Sequence, residues 1–149
     1  LDSELRLKRP SVAIIYLGFM NVRTDTVSYY APNLDTIMQT LIRQGVIPVL
    51  TTITTKDDVM AGSGYTDAIW TVNQTIRDTA ARYHVPLIDF QTAAHALPDQ
   101  GCLIDGFHLS YYVDGTTNFT GDETRYGKDL RELMTLQMLY DIQVSVMGH

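Results

Sequence analysis

Residues 33–53 read NLDTIMQTLIRQGVIPVLTTI and join the two patterns that decide the fold. Asn33 is a suitable helix-capping residue. After it, apolar residues recur at the spacing of one helix face: Leu34, Ile37, Met38, Leu41 and Ile42. Gly45 then stands where a helix is expected to end in a left-handed residue. Val46 to Ile53 is too short for a helix and too continuously apolar for a half-exposed strand, so it predicts a strand buried on both faces of a parallel sheet.

Two further runs have the same character. Val12 to Leu17 precedes the stretch quoted above, and Val85 to Phe90 follows it. Between the second and third runs, a helix is predicted to start near Thr66 or Asp67, with one apolar face made by Ile69, Val72, Ile76, Ala80 and Tyr83. The order strand, helix, strand, helix, strand predicts an α/β protein with three layers, α/β/α, around a parallel sheet with right-handed crossovers.

The part of the chain after the third run is predicted to close the fold. A short helix is expected over Thr92 to Leu97, then a loop from Asp99 to Asp122, and a last helix over about Gly127 to Ile142. Four residues of the last helix are expected to face the core: Leu130, Leu133, Met134 and Met138. No repeat or linker divides the chain, so one domain is expected over residues 1–149.

The composition limits the partners that can be expected. The net charge is −6 and the Lys and Arg residues are scattered, which argues against a nucleic-acid-binding surface. No apolar run reaches the roughly 18 residues that a membrane helix needs. Cys102 is the single cysteine, and His84, His95 and His149 lack metal-ligand spacing to one another. We therefore expect no disulfide within the chain, no metal site and no cofactor.

Asp105-Gly-Phe-His108 lies in the polar loop after the third strand, at the sheet edge where open parallel sheets place their chemistry. A catalytic histidine needs an acceptor at one ring nitrogen, so that the other nitrogen can take a proton. A carboxylate three residues earlier can reach Nδ1 on a turn that Gly106 makes easy. On the motif alone, a surface loop with an incidental Asp and His is the better interpretation. Its position after the last strand favours the catalytic one.

The segment Asp105-Gly-Phe-His108-Leu-Ser resembles the last conserved block of the SGNH (GDSL-type) serine hydrolases, in which Asp and His complete a Ser-His-Asp triad. Asn33 to Ile53 and Asn73 to Phe90 are similar to helix–strand units of that family, and Tyr126 to Leu133 is similar to the closing helix of a bacterial branch. The resemblance covers nearly the whole chain and rests on the order of these stretches. It implies a flavodoxin-like SGNH hydrolase fold, incomplete at its N-terminus, with Asp105 and His108 as catalytic residues.

The resemblance also implies an oxyanion site at the end of the first strand. The family usually has Gly-x-Asn-Asp there, whereas this chain has Gly18-Phe-Met20-Asn21. Gly18, through its backbone, and Asn21 are the candidate oxyanion residues. In direct register Met20 takes the place of the family's Asn, and a thioether cannot donate a hydrogen bond. Asn21 is equally interpretable as a turn residue that bonds its own backbone.

The family's serine, which lies in a Gly-Asp-Ser motif after its first strand, has no counterpart in this sequence. Leu1 to Pro10 read as the tail of a helix that leads into the first apolar run. A sheet that began at this run would leave a buried-type strand edge unpaired, which folded proteins avoid. We therefore expect a preceding segment of the same protein, a second chain or an assembly partner to complete the sheet. The first residue is Leu rather than Met, so we expect either that processing removed the start or that the sequence is a fragment of something longer.

Two functions fit these residues. The first is a hydrolase of acyl or acetyl esters of lipids or carbohydrates, whose triad takes its Ser from outside this sequence. The alternative is a non-catalytic SGNH-like scaffold for carbohydrate binding or for surface or filament assembly. If the protein is a hydrolase, we expect its partner to be a small ester substrate. An exported or cell-surface location is favoured over a cytoplasmic one.

Overall fold

A computed structural model describes residues 1–23, 26–63 and 65–148. The helices and strands follow one another as α1 (Asp2–Lys8), β1 (Val12–Ile15), α2 (Phe19–Arg23), α3 (Tyr30–Arg43), β2 (Ile47–Thr51), α4 (Asp57–Ser63), α5 (Thr66–Tyr83), β3 (Leu87–Ile88), α6 (Phe90–Ala94) and α7 (Gly127–Ile142). Short 3-10 turns occupy Val27–Tyr29, Pro98–Gly101, Val113–Gly115 and Asp122–Thr124, and a π-helical turn follows α7 at Gln143–Met147. None of the helices in these ranges is both long enough and apolar enough to cross a bilayer.

The strands form a parallel three-stranded sheet in the order β1-β2-β3. β1 and β2 are in register from Val12 opposite Ile47 to Ile15 opposite Leu50. Next to β3, the Leu50 amide donates to the carbonyl oxygen of Pro86 at 3.0 Å. Each strand lies within one of the three predicted apolar runs, so the predicted α/β class and parallel sheet are confirmed.

The chain divides into two compact units. The first unit comprises Leu1–Ile53 and Asp67–Leu87, and the second comprises Thr54–Thr66 and Ile88–His149. The first unit buries apolar residues of α3, β2 and α5, which include Leu34, Met38, Leu41, Val49, Leu50, Ile69, Val72, Ile76 and Ala80. The second unit buries Met60, Ile88, Phe90, Ala94, Leu97, Cys102 and Ile142.

Helix α3 begins earlier than its apolar pattern predicts. Its first residue is Tyr30 and its cap is Tyr29, so the prediction of Asn33 as the cap is wrong. Pro32 falls within the first turn, where the missing N–H would have had no partner inside the helix. The other end is as predicted. Gly45 has φ +74°, its amide donates to Ile42 at 3.0 Å, and the next amide donates to Leu41 at 3.0 Å, which is the Schellman arrangement.

The closing helices differ in detail from the prediction. α6 spans Phe90–Ala94 rather than Thr92 to Leu97, because the Asp89 side chain caps it by accepting from the amide of Thr92. α7 has the predicted bounds, Gly127–Ile142. However, the four residues expected in its core face are only half-buried: Leu130, Leu133, Met134 and Met138. Apolar residues also occur on its exposed side, including Leu136 and Tyr140, so the apolar pattern of α7 does not define a single inward face.

Asn73 of α5 ties that helix to the end of β2. The side chain is fully buried, its Oδ1 accepts from the Ile53 amide at 2.8 Å, and its Nδ2 donates to the Ile53 carbonyl at 2.8 Å. The side-chain amide thus pairs with the backbone of Ile53 as a neighbouring strand would. A buried peptide group without such a partner is costly.

We predict that Asn73→Leu lowers the free energy of unfolding by roughly 2–5 kcal/mol, because both polar groups of Ile53 lose their partner. Gln74→Leu is the matched control on the same helix. The Gln74 amide donates to Asp78 on the exposed surface at 2.7 Å, and its loss should cost less than about 0.5 kcal/mol. Urea denaturation measures both values, and equal losses in the two variants would contradict the role given to Asn73.

Candidate functional site

The Asp105–His108 motif forms a tight loop closed by backbone hydrogen bonds. Cys102 and Leu109 pair as an antiparallel bridge at its base. Within it, the Leu103 amide donates to the His108 carbonyl at 2.7 Å, and the Gly106 amide donates to the Leu103 carbonyl at 2.9 Å. Gly106 has φ +74°, a conformation that costs a side-chain-bearing residue free energy. The sequence therefore folds this segment as a turn that points Asp105 back toward His108.

The Asp105 carboxylate makes three hydrogen bonds inside this turn. Oδ1 accepts from the amides of Phe107 and His108, each at 2.9 Å. Oδ2 lies 2.7 Å from Nδ1 of the His108 ring. The bond from His108, followed by the two backbone bonds, lowers the pKa of Asp105 to about 2. The carboxylate is therefore ionised at neutral pH and holds the Nδ1 side of the ring.

The His108 ring is open to a reacting group. Its side chain is 79% exposed, whereas that of Asp105 is 44% exposed. A histidine with Nδ1 fixed by a carboxylate presents Nε2 as the proton acceptor. The pair thus has the arrangement of a general base and the group that orients it.

Ser110 connects this loop to helix α7. Tyr126, the N-cap of α7, makes no side-chain capping bond. Instead, the Gly127 amide donates to Ser110 Oγ at 3.0 Å, and the Lys128 amide donates to the Ser110 carbonyl at 2.9 Å. A Cβ at Gly127 would overlap the carbonyl group of Gly101. Ser110 therefore serves as the cap of α7 from 17 residues upstream, and this fixes the segment that follows His108.

The two predicted oxyanion residues, Gly18 and Asn21, share a turn in the first unit. Gly18 has φ +121°, and a Cβ there would lie 2.6 Å from Val72 Cγ1, so only glycine fits. α2 starts directly afterwards. The side-chain amide of Asn21, a residue of α2, donates to the carbonyl and the hydroxyl of Thr26, each at 3.3 Å. Met20 is 60% exposed. The described geometry of Asn21 is that of a local turn residue.

An apolar cavity of about 270 Å³ opens beside this turn. It is lined by Leu17, Met20, Tyr30, Leu34 and Ile37, among others. The Tyr30 hydroxyl donates to the Leu17 carbonyl at 3.0 Å, and burial raises the pKa of this phenol. Tyr30 therefore stays neutral and serves to hold the strand end that carries Gly18.

The structure brings Asp105 and His108 together in the second unit, and Gly18 and Asn21 together in the first. In residues 1–23, 26–63 and 65–148, no group of three or more His, Cys, Asp or Glu side chains could hold a metal ion. Cys102 is buried beneath the Asp105 turn, and burial together with the Asp105 charge raises the pKa of its thiol to about 12.

Sequence reasoning missed Lys56 and Gln100. The Lys56 amide donates to the Gly106 carbonyl at 3.1 Å. The Gln100 side chain binds Asp57, the residue after Lys56. No local pattern marks either residue, since the partners are more than forty positions apart, as for Asp57 and Gln100 at a separation of 43.

No protein-family model matches this chain, and no curated protein matches it. Among solved structures, the fold is similar to the crystal structure of a GDSL-like lipase from Bacteroides thetaiotaomicron VPI-5482, with a TM-score of 0.63 at 18% sequence identity. The match covers 89% of this chain and 63% of the lipase chain, so this chain spans less than two thirds of the lipase's length. The chain therefore has the α/β fold of the GDSL-like lipases.

We predict that the Asp105 carboxyl group titrates with a midpoint near 2, below its ordinary 3.8. Because folding lowers this pKa, the turn gains stability from the ionised carboxylate above about pH 3.8 and loses it as the pH falls toward 2. The titration is measured from the ¹³C shift of the carboxyl carbon. In His108→Ala the midpoint should rise toward 3.8, since the largest cause of the shift is removed. A wild-type midpoint at or above 3.8 would refute the hydrogen-bonded turn.

Proposed function

We propose that this chain is the larger part of an SGNH-type hydrolase of acyl or acetyl esters, with lipid or carbohydrate esters as substrates. The observation that carries this proposal is the 2.7 Å contact between Asp105 Oδ2 and His108 Nδ1 beside an exposed ring. The fold shared with a GDSL-like lipase supports it. Such chemistry needs no metal and no cofactor, because a serine, a histidine and a carboxylate supply all of its proton transfers.

In the proposed reaction, a serine hydroxyl from outside this sequence attacks the ester carbonyl and passes its proton to His108 Nε2. His108 then gives that proton to the departing alcohol, and a water molecule repeats the cycle on the acyl-enzyme. Asp105 stays ionised throughout, in keeping with its pKa of about 2. Its carboxylate keeps Nδ1–H in place and stabilises the imidazolium that forms.

We propose that the serine belongs to a strand–helix unit that pairs with the outer edge of β1. In the described sheet β1 is bonded on one side, to β2, and Ile14 of β1 is 38% exposed. A preceding segment of the same protein or a second chain would supply this unit. Covering the edge would remove an unpaired strand, which is a liability for a folded protein.

The turn at the end of β1 offers the remaining parts of the proposed chemistry. The Gly18 backbone and the Asn21 amide are the proposed oxyanion donors, on the basis of the family resemblance. The Asn21 bonds to Thr26 are long, at 3.3 Å, so redirecting this amide costs little. The adjoining cavity of about 270 Å³ has mostly apolar lining residues, which suits a short acyl group better than a sugar.

A second candidate function is a non-catalytic scaffold that binds carbohydrate or assembles at a surface. One observation at the turn from Gly18 to Asn21 favours it. Met20 stands where the family has its donor, and the Asn21 side chain already donates to Thr26. An SGNH fold without an oxyanion donor would retain its shape but lose much of its catalytic power.

We predict that the longest natural form of the protein, if it includes a Gly-Asp-Ser segment, hydrolyses p-nitrophenyl acetate. His108→Ala should lower the turnover roughly 10³-fold or more. Asp105→Asn should lower it roughly 10⁴-fold, because Asn retains an acceptor for the two backbone amides but not for His108 Nδ1–H. His84→Asn, which changes a histidine of the first unit, is the control and should leave the rate unchanged. An unaffected rate in His108→Ala would exclude the hydrolase and leave the scaffold.

We further predict that Asn21→Ala lowers kcat roughly 10²–10³-fold, which is the usual cost of one lost oxyanion donor. Met20→Leu keeps an apolar side chain of similar volume and should change kcat by less than about twofold. Steady-state kinetics on the same ester separates kcat from KM. If Asn21→Ala turns over at the wild-type rate, Asn21 is a turn residue and the backbone of Gly18 remains the only proposed donor at this turn.

A further inference from the structure

We propose that Gln100 is a positioning residue for the Asp105–His108 pair and that it acts through the backbone of Lys56 and Asp57. The proposal rests on the proposed function for its catalytic consequence, but its structural part can be measured without any activity. All of the residues involved belong to the second unit.

Gln100 sits in a left-handed turn between α6 and the Cys102 bridge. Asp99, Gln100 and Gly101 have φ values of +49°, +54° and +72° in succession. This conformation is unfavourable for a residue with a side chain, so other contacts must hold Asp99 and Gln100 in place. The bonds made by these two residues are the evident compensation.

The Gln100 side chain makes two hydrogen bonds with Asp57. Gln100 Oε1 accepts from the Asp57 amide at 2.6 Å, and Gln100 Nε2 donates to Asp57 Oδ2 at 2.7 Å. A primary amide is needed here because it carries an acceptor and a donor on one planar group. Nε2 also lies 3.4 Å from Nδ1 of His95 on the far side.

Two more contacts fasten the same segment to the left-handed turn. The buried hydroxyl of Thr54 donates to the Gln100 carbonyl at 3.1 Å. The Lys56 ammonium lies 2.8 Å from Asp99 Oδ1 and 3.7 Å from Asp58. Residues 54–57 are thereby held at three places, and the Gln100 side chain makes the two shortest bonds among these contacts.

Residues 54–59 also contact the middle of the turn from Asp105 to His108. The Lys56 amide donates to the Gly106 carbonyl at 3.1 Å. Val59, in the first turn of α4, packs so closely that a Cβ at Gly106 would lie 2.7 Å from the Val59 Cβ. The peptide between Asp105 and His108 therefore takes its position from residues 56–59, whose own position depends on Gln100.

The first test is Gln100→Glu, which keeps the shape of the side chain but replaces the donor with a charge facing Asp57. We expect kcat for ester hydrolysis to fall about 10–100-fold with little change in KM, since a displacement of about 1 Å in the pair suffices for such a loss. Gln39→Glu is the matched control. Gln39 donates to Asp35 at 2.7 Å on the exposed face of α3, so the same chemical change there should leave kcat unaltered.

A second variant makes the test independent of any general loss of stability. In the double variant Gln100→Glu with Asp57→Asn, the new amide at position 57 can donate to the new carboxylate at position 100. We expect this reversed pair to restore kcat to within about threefold of wild type. If the double variant is no better than Gln100→Glu alone, the proposed contact does not position the pair.

The third measurement is amide hydrogen exchange of Phe107 and His108, the two amides bonded to Asp105 Oδ1. We expect exchange about tenfold faster in Gln100→Glu, unchanged in Gln39→Glu and restored in the double variant. If every form of the protein lacks esterase activity, the proposed function is wrong. Faster exchange in Gln100→Glu would still support the positioning role in that case. Unchanged exchange and unchanged kcat in Gln100→Glu would overturn the positioning role.

Discussion

The carboxylate of Asp105 is the point on which the candidate site depends. One oxygen accepts the amides of Phe107 and His108, and the other meets His108 Nδ1 at 2.7 Å. The same ionised group therefore folds the turn and orients the ring that the turn presents. Because three donors surround it, the carboxylate holds its charge at low pH, and the pKa of about 2 expresses this. Orientation of the histidine is thus built into the local backbone.

The turn is anchored by two close approaches that require glycine, one at its middle and one at the start of α7. Gly106 leaves room for Val59 of α4, and Gly127 leaves room for the Gly101 backbone at the start of α7. Ser110 completes the second anchor by capping α7 with its hydroxyl and its carbonyl. A side chain at either glycine would separate the elements that hold the turn, so the geometry of the pair depends on packing as well as on its own hydrogen bonds.

The Asp105–His108 pair is the basis for proposing ester hydrolysis, whereas the turn from Gly18 to Asn21 departs from the pattern of the family that the sequence resembles. A likeness of fold at 18% identity carries no information about substrate. Any chemistry proposed for this chain therefore rests on Asp105 and His108, which are arranged as a base and the carboxylate that orients it. At the other turn, Gly18 is fixed by the crowding of Val72, while Met20 is a side chain that cannot donate. The proposed activity therefore depends on two further parts, a serine from outside this sequence and an oxyanion donor.

The sequence by itself determined the features that depend on neighbours within a few residues. The three strands fall within their apolar runs, Gly45 ends α3 in the left-handed conformation, and Asp105 reaches His108 three residues away. These follow from periodicity and from turn geometry, which are local properties of the chain. Tertiary structure decided the rest. The half-buried face of α7 and the hydrogen bonds between Gln100 and Asp57 depend on partners that are distant in sequence. Asp57 and Gln100 are 43 residues apart. Only packing brings such groups within hydrogen-bonding distance, and no local pattern records which of them will meet.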